Sequence, residues 1–240
     1  MKEDKKRETE QYLADVIMER PYGFYVGDRH YCLWPVTLGK MYILQRHIDL
    51  LGIDREGLAK DISIEALRLA KEKRKECIDI IYVHTCRTKD EVFDSRQMAD
   101  TTAFFQGEMT DEDIAALMIT VLSSDKTEMF IKHLGIDREQ KRLDAVMRAK
   151  QQSGRNSITI GGKSIYGSFI HPLLEVGMTW DDILWNRSYT NLRLLLYDKV
   201  NSIYVSDDER NAIPAWAMCD GVIKADDPNN REIIKSMSWK

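Results

Sequence analysis

The chain has 240 residues, of which 43% are hydrophobic and 31% are charged, and its formal net charge is -4. A chain of this length buries roughly 70% of its unfolded surface, so its stability does not require disulfides or a metal. The small negative charge argues against a dedicated nucleic-acid-binding protein. No apolar run approaches the roughly 20 residues of a transmembrane helix.

The four cysteines form no C-x-x-C pair, and the first residues lack the composition of a signal peptide. We therefore expect a soluble protein with free thiols in a reducing cytoplasm.

The first forty residues predict a helix, a hairpin and the start of a second helix. A short amphipathic helix within residues 1–20 carries its apolar side chains on one face: Tyr12, Leu13, Val16 and Ile17. Gly27-Asp28 separates two aromatic and β-branched runs between Phe24 and Trp34, which is typical of a β-hairpin. Thr37 is placed to cap the second helix, and Gly52 to end it. The apolar side chains that we expect on its buried face are Leu38, Met41, Tyr42, Leu44 and Ile48.

The middle of the chain is mostly helix-forming. Helical patterns extend from Asp54 to about Thr85, and Thr110 begins the clearest helix of the chain, with three acids in its first turn. Residues 86–109 between them read as an irregular, mobile connection. Asp137 is expected to cap a later helix. It belongs to a second copy of the hexapeptide Leu-Gly-Ile-Asp-Arg-Glu at 51–56, which could mark a duplication or a common helix junction.

Three short motifs resemble binding sites, but each lacks part of the pattern that such a site requires. Cys77, His84 and Cys86 are too few and too close for a typical structural zinc site. The basic run at 71–76 is interrupted by two glutamates, which favours a solvated helix face over a phosphate-binding patch. Gly162-Lys163-Ser164 resembles the end of a phosphate-binding loop, but residue 157 is serine instead of glycine, and we expect a strand to follow instead of a helix.

The C-terminal part of the chain predicts a boundary, a second hairpin and a helix pair. Residues 151–157 are polar and turn-rich, and Gly161-Gly162 then joins two short apolar runs, 158–160 and 163–166, as in a hairpin. Thr179, with Asp182 three residues later, predicts a helix that starts at Trp180. Ser188 is placed to cap a further helix whose apolar face includes Tyr189, Leu192, Leu195 and Leu196. Ser206 and Glu209 form a further capping box, and residues 224–240 form a polar tail.

No catalytic constellation is evident. The five histidines lie in separate segments, and the nucleophile elbow, the P-loop and the dinucleotide fingerprint are all missing from the sequence. We therefore predict no enzyme, no cofactor and no metal.

Two passages resemble the phage tail assembly chaperones, which attend the tape-measure protein while a long tail is built. The first, Phe24 to Lys40, is similar to the family's hairpin, apolar-Pro step and Thr-Leu-Gly helix start. The second, from Gly162 to Asp198, resembles its C-terminal helix pair with a G-x-T-W motif at Gly177 to Trp180. By this resemblance apolar helix faces hold the tape-measure chain, and the guessed contact residues are Trp180, Trp185, Tyr189, Leu192 and Leu196. The same side chains could instead be core.

The sequence thus predicts a mainly helical α+β protein with two short β-hairpins. Its expected segments are a hairpin-plus-helices unit (1–105), a helical middle (106–152), a hairpin-plus-helix-pair unit (153–223) and a tail (224–240).

The expected function is that of a tail assembly chaperone in the cytoplasm of an infected or lysogenic bacterium. Its expected partner is the tape-measure protein, with the tail-tube protein as a second candidate and a homo-oligomer left open. The alternatives are a structural virion component, such as a connector or tail-completion protein, and a small nucleic-acid-binding protein that uses residues 71–75.

Overall fold

The protein is mainly α-helical, with one two-stranded antiparallel sheet among the residues described by this computed structural model, which are 2–152, 162–198, 203–214 and 216–218. This confirms the predicted fold class. The helices before residue 153 are α1 (Lys2–Ile17), α2 (Leu38–Leu51), α3 (Arg55–Lys60), α4 (Ile62–Glu72), α5 (Arg74–Thr85), α6 (Lys89–Phe93), α7 (Ser95–Glu108), α8 (Asp111–Leu122), α9 (Thr127–His133) and α10 (Ile136–Gln152). The later ones are α11 (His171–Glu175), α12 (Tyr189–Tyr197) and α13 (Asp207–Ala212), with π-helical segments at Tyr166–Ile170 and Asp182–Asn186.

The first hairpin forms as the sequence predicts. Strand β1 (Tyr22–Val26) pairs with β2 (Arg29–Leu33), and the two-residue turn between them is Gly27-Asp28. Gly27 has a φ of 58°, a left-handed conformation that glycine adopts without steric cost. The predicted N-terminal helix is also present, as α1.

Helix α2 has the predicted ends and part of the predicted buried face, since Leu38 and Leu44 are buried as expected. The Thr37 hydroxyl accepts a hydrogen bond from the Lys40 amide at 3.4 Å, and Gly52 ends the helix in the left-handed region. Tyr42 and Ile48, expected inside, are 50% and 41% exposed. The buried stripe instead adds Lys40 and Leu51, because α5 packs against that side of α2.

Most of residues 86–109 are helical, in α6 and α7, so the prediction of an irregular connection is wrong. Thr88 and Glu91 form a capping box that begins α6, and the Asp94 carboxylate accepts hydrogen bonds from the amides of Arg96 and Gln97 to begin α7. The polar residues that suggested turns are therefore N-caps, which use the same side chains as turns do.

Helix α8 begins where the sequence predicts, and Thr110 and Asp113 form a capping box at its start. Asp137, in contrast, does not cap α10, because that helix already begins at Ile136. In the two copies of the hexapeptide, Gly52 and Gly135 share the left-handed conformation, with φ of 62° and 73°. The copies differ beyond this glycine, since α3 begins three residues after Gly52 and α10 begins directly after Gly135.

The predicted second hairpin is not formed where the structure describes it. Helical backbone begins at Ile165, inside the expected strand 163–166, and continues through α11. The left-handed Gly162, with a φ of 72°, leads into this helix instead of turning between strands. The expected first strand at 158–160, the boundary residues 153–157 and the tail at 224–240 lie outside the described residues.

Contacts between residues group the chain into two units, residues 1–133 with 161–199, and residues 134–160 with 200–240. The first unit has a large core beneath the hairpin and helices α2, α4, α5, α7 and α8, which includes Leu44, Leu69, Ile81, Phe105 and Met118. A smaller core in the same unit contains Leu38, Phe169, Ile170, Leu173, Ile183 and Leu192.

The second unit joins α10 to α13. Its described core contains Ala145, Ala149, Ile213 and Ala217. The predicted capping box of Ser206 and Glu209 begins α13, which ends at Ala212 before Pro214. Lys150 of α10 makes an ion pair with the buried Glu209 at 3.3 Å, so the same carboxylate caps α13 and ties it to α10.

Candidate functional site

The stretch from Gly177 to Asp198 folds as the two predicted helices. The Thr179 hydroxyl accepts a hydrogen bond from the Asp182 amide, and the Asp182 carboxylate accepts one from the Thr179 amide, both at 3.1 Å. Hydrogen bonds from Thr179 hold the pKa of Asp182 below its usual value. The first helix begins at Trp180, and Ser188 caps α12 by accepting a hydrogen bond from the Asn191 amide at 3.3 Å. Both predicted helix starts are confirmed.

The two passages that carry the family resemblance pack against each other although they are far apart in sequence. The Tyr189 amide donates to the Val36 carbonyl at 2.7 Å, next to an isolated antiparallel bridge between Thr37 and Ser188. Gly39 allows this approach, because a Cβ there would lie 2.8 Å from the Leu184 carbonyl oxygen and from the indole of Trp185. Hairpin, α2 and helix pair therefore belong to one packed structure.

A third segment, the end of α1, also holds this junction together. Glu19 lies just beyond α1 with a φ of 53°, which is uncommon for a residue with a side chain. Its carboxylate accepts hydrogen bonds from the Ser188 amide at 2.8 Å and from Asn191 Nδ2 at 3.1 Å. A negative charge at the start of α12 is favoured by the helix dipole.

The five guessed contact residues differ in accessibility. Trp180 is 45% exposed, and Trp185, Tyr189 and Leu196 are half-buried. Leu192 is only 2% exposed and lies in the smaller core with Leu38 and Ile183. Leu192 is therefore not accessible to a partner while α12 is docked, whereas its neighbour Leu195 is 55% exposed.

Trp180 forms an exposed aromatic pair with Tyr166, a residue that the sequence interpretation placed in a strand. Their rings stack with centroids 6.3 Å apart and an interplanar angle of 19°, and Tyr166 is 63% exposed. Stacking holds the two rings in one orientation, so the pair presents a fixed apolar surface to solvent. The sequence pattern did not indicate this helix because Tyr166 begins a π-helical segment of five residues, which is too short to show a helical repeat.

A cleft of about 720 Å³ lies at the junction of the two passages. Its walls include Trp34 and Trp185, and the helix caps Thr37 and Ser188 lie along it. The other lining residues are Met18, Glu19, Pro35, Lys40, Arg87, Thr88, Lys89, Asp90, Asp181, Asn186 and Arg187.

Lys40 is the unexpected member of this lining. It is 1% exposed, and no hydrogen bond or ion pair joins its side chain to another group in the part of the chain that the structure describes. Burial lowers the pKa of its ammonium to about 8. One sequence signal could have indicated its burial, since Lys40 lies four residues before Leu44 and eleven before Leu51, on the same helical stripe.

The three residues that suggested a metal site, Cys77, His84 and Cys86, are all buried. Burial raises the pKa of Cys77 to about 12 and also raises that of Cys86, so both thiols stay protonated and are poor metal ligands. His84 is buried as well, and burial lowers its pKa to about 4. No group of three metal-binding side chains occurs among the described residues.

The basic run at 71–75 is partly used for internal contacts. Arg74 donates hydrogen bonds to the Asp111 carboxylate and to the carbonyls of Gln106 and Met109, so it ties the start of α5 to the α7–α8 junction. Glu72 pairs with Arg68 one turn earlier. The cationic patch available to a phosphate backbone is therefore smaller than the sequence suggests.

Gly162-Lys163-Ser164 precedes helical backbone, so the expectation of a following strand was wrong. The Ser164 hydroxyl accepts a hydrogen bond from the Gly167 amide at 3.4 Å and thereby caps the helix itself. Residue 157 is still a serine where a phosphate-binding loop requires its first glycine.

Comparison with known proteins assigns no family to this arrangement: no protein-family model, curated sequence or solved structure matches the chain. Within the described ranges, no helix combines the length and the apolarity that crossing a membrane requires.

Proposed function

We propose that this chain is a phage tail assembly chaperone that holds apolar helical segments of the tape-measure protein in the cytoplasm of the bacterial host until tail-tube protein polymerises around them. The proposal rests on the resemblance of two passages to that family. It is supported by the packing of these passages against each other at Thr37 and Ser188, because a shared motif whose parts fold together acts as one unit.

The observation that carries the binding surface is the exposed Tyr166–Trp180 pair. Large aromatic side chains are enriched among the residues that dominate binding energy at protein interfaces. Val176, 64% exposed, lies in the turn between these two residues, and Leu195, 55% exposed, lies on α12. We assign the contact to the Tyr166–Trp180 pair, with Val176 and Leu195 as further exposed candidates, and leave out Leu192, which is in the core.

The proposed mechanism is non-enzymatic: the chain binds apolar segments of the tape-measure protein and catalyses no reaction. An amphipathic segment of the tape-measure protein would place its apolar face on the aromatic pair, as helical peptides do in hydrophobic grooves. The capped starts at Thr179 and Ser188 keep the helix pair ordered without a partner, so little conformational entropy is lost on binding.

The decisive experiment is co-expression of the tagged chain with the tape-measure protein of the same phage, followed by co-purification and measurement of soluble tape-measure protein. We expect a complex with the natural chain, and a Trp180→Ser variant that binds on the order of thirtyfold more weakly, as at an interface hot spot. Ile64→Ser is the matched control, because Ile64 on α4 is also an exposed apolar residue, at 70%.

Failure of the natural chain to associate, under conditions in which tails assemble, would refute the proposal. Equal losses in the two variants would refute the assignment of the surface. Mass spectrometry of purified virions separates the main alternative, because a chaperone is absent from the particles and a connector or completion protein is present.

A further inference from the structure

The cleft between the two passages contains a buried charge without a partner. An ammonium group in an apolar environment is unfavourable unless it is paired or hydrogen-bonded. Lys40 is 1% exposed and lines the cleft, and no hydrogen bond or ion pair joins its ammonium to another group in the described part of the chain, although the Glu91 carboxylate attracts it from beyond ion-pair distance. The missing interaction is one that an anion entering the cleft would supply.

The backbone around Lys40 favours the same sign of ligand. Lys40 lies in the first turn of α2, a helix of 14 residues whose cap, Thr37, also lines the cleft. The positive end of the helix dipole repels the lysine and attracts an anion. At the neighbouring α12, the Glu19 carboxylate already makes such an interaction with the Ser188 amide.

The rim adds further positive charge. Arg87, Lys89 and Arg187 line the cleft and are exposed, and the Arg87 guanidinium lies 4.8 Å from the centre of the Trp34 ring. The acidic lining residues are Glu19, Asp90 and Asp181, of which Glu19 is hydrogen-bonded to α12. Four cations against three acids leave a net positive lining, with Lys40 as its buried member.

The size and the walls of the cleft limit the ligand. A volume of about 720 Å³ lies in the range of small-molecule sites and exceeds the space that a free inorganic anion occupies. The half-buried indoles of Trp34 and Trp185 offer apolar walls to the remainder of such a ligand.

From this geometry we propose that the cleft is a binding site for a small organic oxyanion, a carboxylate or a phosphate ester attached to an apolar or aromatic group, with Lys40 as the residue that contacts the oxyanion. This site is distinct from the proposed chaperone surface and does not depend on it. A chain that fails to bind any tape-measure protein can still bind the anion.

The test is calorimetric titration of the full chain with three probes at constant ionic strength: phenylacetate, phenyl phosphate and inorganic phosphate. We expect saturable binding of at least one aromatic probe, and Lys40→Met should weaken it on the order of tenfold or more, the loss typical of a charged hydrogen bond. Lys71→Met is the control, because Lys71 is exposed on α4 outside the cleft, and it should leave binding unchanged.

The three arms separate the sources of the anion. Tighter binding of phenyl phosphate than of phenylacetate assigns a phosphate, the reverse order assigns a carboxylate, and each supports the site. Inorganic phosphate that binds as tightly as phenyl phosphate would refute the role of the aromatic walls. No saturable binding of any probe, or equal binding by Lys40→Met, would overturn the proposal.

Protonation provides a second readout. The ionisable groups around Lys40 that act on its pKa are the Cys86 thiol and the Glu91 carboxylate, and the charge of Lys40 acts in turn on His84. Because the pKa of Lys40 is about 8 in the free protein, an anion that favours the ammonium should cause net proton uptake at pH 8.5. Titrations in two buffers of different ionisation enthalpy measure this uptake, which should vanish in Lys40→Met.

Discussion

Replacing Lys40 by methionine should stabilise the protein. Methionine has a similar length and no charge, so it keeps the packing of the buried stripe of α2 and removes the cost of an unpaired ammonium. Most substitutions of buried residues destabilise a protein, so a stabilising one is a strong test of the description of this site.

The magnitude follows from the pKa. The ordinary lysine value of 10.5 and the folded value of about 8 differ by an amount that corresponds to about 3 kcal/mol of folding free energy at pH 7. Since the unfolded chain binds the proton more tightly, the unfolded state holds more protons between these two values. The cost is therefore complete below the folded pKa and fades as the pH rises toward 10.5.

The assay is urea unfolding of the natural chain and of Lys40→Met at pH 7 and at pH 9. We expect the variant to be more stable by about 3 kcal/mol at pH 7, and the difference to narrow by roughly 1 kcal/mol at pH 9. Buried thiols also titrate near pH 9 in the unfolded chain, but they do so in both proteins and cancel in the difference. A variant of equal or lower stability at pH 7, or a difference independent of pH, would refute the reasoning.

Substitutions at three further residues test the junction and the helix contacts by chemical unfolding. Gly39→Ala should destabilise the protein by roughly 1–3 kcal/mol, because its Cβ would meet the Leu184 carbonyl and the Trp185 ring at 2.8 Å, and a loss below 0.5 kcal/mol would contradict the close packing. Glu19→Ala should cost about 1–2 kcal/mol and Glu19→Gln clearly less, since glutamine keeps an acceptor for the Ser188 amide; equal losses would contradict this role. Arg74→Met should cost about 1–3 kcal/mol through the carbonyl groups it leaves without a donor, and an unchanged stability would show that these contacts contribute nothing.

The sequence predicted the ends of helices better than their buried faces. A cap is a local arrangement of a side chain and amides within four residues, so Thr37, Thr110, Thr179, Ser188 and Ser206 could be identified without knowledge of the fold. The buried face of a helix depends on which distant element packs against it. For α2 that element is α5, and its position placed Lys40 inside and Tyr42 outside.

The errors in secondary structure have a related cause. Aspartate and glycine, the residue types at positions 94 and 162, occur in turns, in helix caps and in hairpins. Composition alone does not tell which of these structures a given residue forms. Asp94 became the cap of α7, and Gly162 led into the helix that begins at Ile165. The first hairpin was predicted correctly because its two-residue turn lies between strands with strong β-forming residues, which leave one interpretation.

The candidate sites depend on contacts across more than 140 residues, which no local pattern contains. Glu19, Thr37 and Lys40 meet the segment from Asp181 to Ser188 only after the chain has folded. Most residues of a protein agree with the rules of helix propensity, polar patterning and capping, and the exceptions concentrate at functional sites. A lysine in the first turn of a helix, on the same stripe as two buried leucines, is such an exception. Its burial in the lining of the cleft, without a hydrogen-bond or ion-pair partner among the described residues, is the reason to assign a ligand there, and the Lys40→Met variant tests the folding cost and the binding separately.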